Sequence, residues 1–332
     1  LVGSGACAPA PATPTPAVEP AAPGAMAVAA GPTPAPLEKD TLHVAVAATG
    51  SAYTPLQVAI EAGYFTEVGL IPEVVPITTT TDTLALLSSG QVDVGIAAIA
   101  AGFFNAVARG VAIRMVADHG SYIPGRTTPV LAVRADLLAQ RPWTGFQDLR
   151  GLRIAIQQSG SVLERNLETM LQLGGLQRSD IEVVELPFPD MATAFVNRAI
   201  DAAYNTEPVA TIAVNQGVAV KWRRVGDWAP GMQFTVLMYS PAFGTERNDV
   251  ARRWMVAYLK GLRDYTDAVQ KGINRRAMFE ILARNTTLKD MDLYEQVGWA
   301  NLDPNGRINL ESIADQARWY VEKGLVRTPP DL

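Results

Sequence analysis

The chain has 332 residues, a formal net charge of −5, 48% hydrophobic and 18% charged residues. That length is enough for two domains with cores of ordinary size, and the composition is that of a globular protein. No five basic residues run together, which argues against nucleic-acid binding, and beyond residue 40 no uncharged apolar run of about 18 residues offers a membrane span.

Cys7 is the one cysteine, so neither an internal disulfide nor a thiolate metal cluster can form. It follows Leu1-Val2-Gly3-Ser4-Gly5-Ala6, which reads as the end of a signal peptide (residues 1–7) and resembles a bacterial lipoprotein box, with Ser4 where Leu is usual. Cys7 is therefore the expected lipidation site. Residues 8–36 are nearly all Ala, Pro, Thr, Gly and Val, with Glu19 as the single charge. Such a segment buries too little apolar surface to offset its ordering entropy, and its prolines favour extended chain. Residues 8–40 are expected to form a disordered tether.

The folded body begins near Thr41. Alternating apolar residues predict a strand over 42–47. A helix is predicted over 55–62, with Thr54 as its cap and Pro55 in its first turn. Strand, helix, strand, helix and strand follow over 72–77, 79–88, 92–97, 100–109 and 111–118. Successive βα units with short loops predict a doubly wound α/β lobe. The pattern then restarts. A strand over 129–133, a short helix over 144–149 and a buried strand over 152–156 lead to a helix entered through Ser159-Gly160-Ser161. Strand 181–186, helix 190–198, short strand 202–204 and a helix to 215 complete a second lobe. A return strand over 232–239 leads to helices over 249–270, 275–284, 288–297 and 310–322, expected to pack on the first lobe. The expected division is 41–127 with 238–332 for lobe one and 128–237 for lobe two, joined by a two-strand hinge around a cleft.

Several segments carry a family likeness. Ala62-Gly63-Tyr64-Phe65 runs to Val68-Gly69-Leu70, and Ser89-Gly90-Gln91-Val92-Asp93-Val94-Gly95 follows one βα unit later. Leu149-Arg150-Gly151-Leu152-Arg153-Ile154-Ala155, Asp201 to Pro208, and Asp303-Pro304-Asn305-Gly306-Arg307-Ile308-Asn309 follow in order. Together, over roughly 42–325, they resemble the ABC-importer solute-binding proteins for sulfonates, taurine, nitrate and thiamine-type pyrimidines. The resemblance implies a periplasmic binding protein type II fold, a small-molecule ligand, a partner permease with its ATPase, a monomer, and an extracytoplasmic location held by the lipid anchor. It implies no cofactor. A eukaryotic branch of the same fold makes the thiamine pyrimidine with a cysteine-rich segment, and the body of this chain has no cysteine.

In open α/β lobes, ligands sit beyond the carboxyl ends of the strands. That rule selects Ser51, Tyr53, Thr79, Ala98, His119 and Tyr122 in the first lobe. In the second it selects Gln158, Ser159, Ser161, Asp190, Tyr204, Asn205 and Glu207. Ser159 to Ser161 serve equally as a plain helix cap or as N–H and hydroxyl donors facing the cleft. Glu207 is either a first-turn carboxylate or an acceptor for ligand N–H groups. The three tyrosines are core aromatics or a stacking platform for a flat ring. Arg126 is the single basic residue in these loops, which favours an uncharged planar ligand. Riboflavin is preferred, with a thiamine-precursor pyrimidine or a sulfonate such as taurine as alternatives. With His43 and His119 the only histidines and no partner cysteine, no metal site is expected. Trp299 is the tryptophan placed to reach the hinge.

Overall fold

Among the described residues, ten strands form two five-stranded sheets, and which strand neighbours which decides where a ligand can sit. The computed structural model describes residues 1–3, 5, 40–47, 53–125, 129–286 and 288–327. The chain divides into Leu1–Pro36 and Leu37–Leu332, and both sheets with their helices belong to the second unit. Cys7 and the tether expected over 8–40 fall almost wholly outside the described residues, as do Ser51 and Arg126.

The first sheet contains β1 (Asp40–Ala47), β2 (Leu70–Ile77), β3 (Val94–Ala98), β4 (Arg114–Ser121) and β10 (Gln233–Tyr239), ordered β2-β1-β3-β10-β4. β1 pairs in parallel with β2 and β3, whereas β10 runs antiparallel between β3 and β4. The second sheet repeats this plan with β5 (Val130–Arg134), β6 (Arg153–Ile156), β7 (Glu182–Glu185), β8 (Ala202–Asn205) and β9 (Ala219–Arg224), ordered β7-β6-β8-β5-β9. Here β5 is the antiparallel strand, lying between β8 and β9. The result is two α/β lobes of the periplasmic binding protein type II kind.

Each antiparallel strand is the first one the chain forms after crossing from the other lobe. The crossings, which leave β4 after Ser121 and β9 after Arg224, bond to one another: Tyr122 N–H donates to the Met232 carbonyl at 3.0 Å, and Gly231 N–H to the Tyr122 carbonyl at 2.8 Å. Gln233, fully buried where β10 starts, anchors this hinge. Its amide nitrogen donates to Asp118 Oδ1 (2.5 Å) and to the carbonyls of Gly120 and Thr235 (3.0 Å each). Its amide oxygen accepts from Asn309 N–H at 2.9 Å, tying in the C-terminal segment.

Several expectations change in detail. The fourth strand begins at Arg114, where pairing with Tyr239 of β10 starts, and runs to Ser121, so His119 lies inside it. The first helix, Thr54–Glu61, is capped by Tyr53, and Thr54 is its first helical residue. β9 and the helix Ala135–Gln140 have no counterpart among the predicted elements. β9 carries Lys221, Arg223 and Arg224 on an edge, a pattern that guards an exposed ladder and dilutes the apolar signal. The helix predicted over 79–88 is Thr80–Ser89: Thr79 and Asp82 form a reciprocal capping box, and Gly90, at φ 72°, closes it and turns the chain toward β3.

Apolar clusters cover both faces of each sheet. The long helix Asn248–Thr266 packs on the first lobe through Trp254, Tyr258, Leu262 and Tyr265, all buried at helical spacing. Trp254 meets Phe65 of the Gly63-Tyr64-Phe65 motif, with ring centroids 4.5 Å apart. Gly261 lets the same long helix approach the helix Thr54–Glu61 closely. A methyl there would lie 2.5 Å from Ala59 Cβ and 2.6 Å from the Pro55 carbonyl oxygen. Helix propensity alone would make Gly261→Ala stabilising by about 1 kcal/mol. The neighbour includes backbone, which cannot swing aside, and overpacking costs about 1–3 kcal/mol. Gly261→Ala should therefore lower the urea midpoint; a raised midpoint would show that the helices separate freely.

The Asp148-Leu149-Arg150-Gly151 motif leads into β6 of the second lobe. Asp148 accepts from the N–H groups of Thr144 (2.7 Å) and Gly145 (3.1 Å) and pairs with Arg141. The Arg141 hydrogen bond first, then those amides, hold its carboxyl at about 2, against the opposing effect of burial. A depressed folded-state value stabilises the fold above the unfolded value of about 4, and the contribution fades as pH falls toward 2. Melting curves of wild type and Asp148→Asn should differ at pH 7 and converge between pH 4 and 2. A gap independent of pH would remove charge from the explanation.

Candidate ligand-binding cleft

The carboxyl ends of β2, β3 and β6, the residue after β8 and the amino end of β10 converge between the lobes. They enclose a cavity of about 80 Å³. Thr78, Thr79, Thr80, Thr206, Thr235 and Gln157 are its polar lining residues; the Thr78 and Thr79 hydroxyls donate to Asp82 Oδ2 and the Thr235 hydroxyl to the His119 carbonyl. Tyr53, Phe188 and Phe234 bring rings, and Val46, Ile77, Ile96, Ala97 and Ala98 complete the described wall. No charged side chain is among these residues. Burial, opposed by a hydrogen bond with Gln57, pushes the Tyr53 phenol up to about 12, so it stays neutral at ordinary pH.

Across this cavity the lobes touch. Gln157 Nε2 donates to the Thr78 carbonyl and Gln158 Nε2 to Thr81 Oγ1, each at 3.0 Å. Beside them, Ala101 N–H donates to the Gly160 carbonyl and Val162 N–H to the Ile99 carbonyl, also at 3.0 Å.

Of the residues selected from sequence, the structure brings Tyr53, Thr79 and Ala98 to the cavity wall. Others are placed elsewhere. His119 is buried within β4, its Nδ1 2.6 Å from the Tyr258 hydroxyl. Tyr122 is buried, accepts from Asn166 Nδ2 at 3.3 Å, and backs the wall by stacking on Phe234 at 5.3 Å. Tyr204 is in the core of the second lobe, edge-on to Trp228. Ser161 caps the helix Val162–Leu173, while Gly160 N–H is taken by Glu164 Oε2, so these groups do not cradle an anion. Gln158 and the Ser159 segment belong to the contact between lobes. Asp190 is exposed in the first turn of Phe188–Val196. Trp299 stacks on Phe279 in the core of the first lobe.

Glu207 is buried but committed inside its own lobe. Its carboxylate lies 2.5 Å from Lys221 Nζ and accepts from Thr211 N–H (3.0 Å) and Thr211 Oγ1 (2.7 Å). Asn205 is buried at the end of β8, next to the cavity-lining Thr206.

The sequence rule missed Gln157, Thr206, Phe234 and Thr235. The last two come from β10, whose antiparallel sense brings its amino end to the cleft, where a rule for carboxyl ends does not look. The return strand beginning at Met232 was the available signal.

A family model described as "NMT1/THI5 like" matches residues 51–270, more than half of the chain. The chain belongs to the NMT1/THI5-like family. Solved structures share its fold. One is the alkanesulfonate-binding protein SsuA from Xanthomonas axonopodis pv. citri bound to MOPS, at TM-score 0.68 and 19% identity, over 89% of this chain and 97% of that one. Another is the ligand-binding component of an ABC-type import system from Staphylococcus aureus with zinc bound, at TM-score 0.72 and 15% identity, over 88% and 94%. The desulfurization enzyme DSZB also matches, at TM-score 0.59 and 18% identity, over 89% and 95%. No curated protein sequence matches the chain.

Removing the Glu207 carboxylate would strand Lys221 and Thr211. Breaking a buried pair costs about 3–5 kcal/mol, and the partial exposure of Lys221 places this one at the lower end. Glu207→Ala should lose about 3 kcal/mol in urea unfolding. Unchanged stability would mean that the carboxylate is held for another purpose.

Proposed function

We propose that this protein is an extracytoplasmic solute-binding protein that captures an uncharged, planar heteroaromatic molecule between its lobes and hands it to an ABC permease and its ATPase. Riboflavin is the first candidate. Lipidation of Cys7 would hold the protein at the membrane. The observation that carries the reading is the described lining of the cleft: rings, aliphatic side chains, threonines and one amide, without a charge. Rings stack on a flat ligand, and hydroxyls bond its polar edge. A sulfonate would enter as a full anion, and burying an anion without a cation or a dense set of N–H donors is costly. The described wall holds no Cys, His, Asp, Glu or Lys to serve as nucleophile, base or acid, which favours binding over the catalysis that the same fold supports elsewhere.

The size of the cavity favours keeping the smaller thiamine-precursor pyrimidine as a second reading. A cavity of about 150 Å³ admits benzene; this one is about 80 Å³. A ring of either size requires the lobes to part, releasing Gln157 from Thr78 and Gln158 from Thr81.

Titration calorimetry with riboflavin, a hydroxymethyl-aminopyrimidine and taurine tests the reading. Ring ligands should bind and taurine should not. Loss of the Tyr53 ring should remove about 1–2 kcal/mol of stacking and contact, so Tyr53→Ala should weaken ring binding about 5- to 30-fold. Tight taurine binding with no signal from either ring would defeat the proposal.

A further inference from the structure

Asn205 is the last residue of β8 and has no exposed surface. Neither its amide nitrogen nor its amide oxygen has a hydrogen-bond partner. Buried amides are normally paired, and an unpaired one carries the full cost of leaving water. Gln233 shows what the fold does with a structural amide, since three acceptors and one donor surround it. Among the described residues, Asn205 is the side chain left unpaired at both ends.

Its position explains what those atoms are for. The next residue, Thr206, lines the cleft, and so does Gln157, which follows the neighbouring parallel strand β6. Two residues earlier, Ala203 packs with Met191 and Phe195 in the cluster on which Phe188 rests. Side chains two apart on a strand share a face. Asn205 therefore lies on the face that Phe188 covers, and Phe188 is itself part of the cleft wall.

Resting on the reading of the cleft as a site for an uncharged ring, we propose that Asn205 reads the ring's hydrogen-bonding edge. Its amide oxygen accepts from a ring N–H or amino group, and its amide nitrogen donates to the adjacent carbonyl or ring nitrogen. The ligand is thereby narrowed to rings that present a donor and an acceptor side by side, as the imide edge of a flavin or the amino edge of a pyrimidine does. The Phe188 ring turns aside when such a ligand is seated.

The test uses the full chain, riboflavin and its N3-methyl derivative, which lacks the imide N–H. Wild type is titrated first and should prefer riboflavin by at least 10-fold. Asn205→Val should bind riboflavin at least 10-fold more weakly, lose the preference, and melt a few degrees higher without ligand, because an unpaired amide has been removed. The ratio of the two affinities is insensitive to a folding loss, so Asn205→Ala keeps the result decisive if Val overfills the site. A preference that survives in either variant overturns the assignment. A clear fall in the melting temperature of Asn205→Val together with an unchanged preference shows a structural amide instead. Wild type that binds riboflavin and the N3-methyl compound equally refutes the edge reading while leaving the cleft reading standing. Wild type that binds neither these nor the aminopyrimidine removes both.

Discussion

Everything about this cleft depends on β10 running antiparallel between β3 and β4. A sheet made only of β1 to β4 would have its carboxyl ends aimed at solvent and no reason to face a second body. By sending the chain across, forming β5 to β9, and returning it into the middle of the first sheet, the fold fastens the lobes at two adjacent crossings. Gln233 makes that return specific. One buried side chain bonds β4, β10 and the C-terminal segment together, so the hinge, the tail and one wall of the cleft share a single anchor. A buried polar network of this kind rewards one arrangement and penalises near alternatives.

The polar side chains near the cleft sort by whether the fold already uses them. His119 and Glu207 have partners inside their own lobes, and Tyr122 is held by Asn166 of the helix Val162–Leu173. Thr79 holds the amino end of a helix while its neighbours Thr78 and Thr80 also meet the cavity. Asn205 has no such duty. The contrast separates residues that build the walls from the one proposed to meet its partner in the ligand.

Much of the architecture was legible in the sequence because it rests on local rules. Thr79 with Asp82 announces a capping box, Gly90 a helix stop, and the run from Leu42 onward an alternating strand. The site was less legible because it depends on parity and strand sense. Tyr204 and Asn205 are consecutive, yet Tyr204 packs in one core while Asn205 lies toward the face of the other; sequence shows alternation without saying which face meets the cleft. Tyr122 and Phe234 illustrate the same limit. Tyr122 was visible as an aromatic at a strand exit, but the ring that reaches the cavity is Phe234, behind which Tyr122 stacks. β9 escaped notice because its lysine and arginines, useful on an edge, hide the apolar pattern that marks a strand.

The uncharged lining of the cleft has a kinetic side. Charged clefts focus field lines, draw their ligands from a distance, and lose that pull as salt rises. The described wall of threonines, one glutamine, three rings and aliphatic side chains carries no charge of its own to do so. Encounter is left to unassisted diffusion, and selection falls to short-range fit after arrival. Under the proposed function, capture changes little with salt, and discrimination between ligands is expressed in how slowly each one leaves.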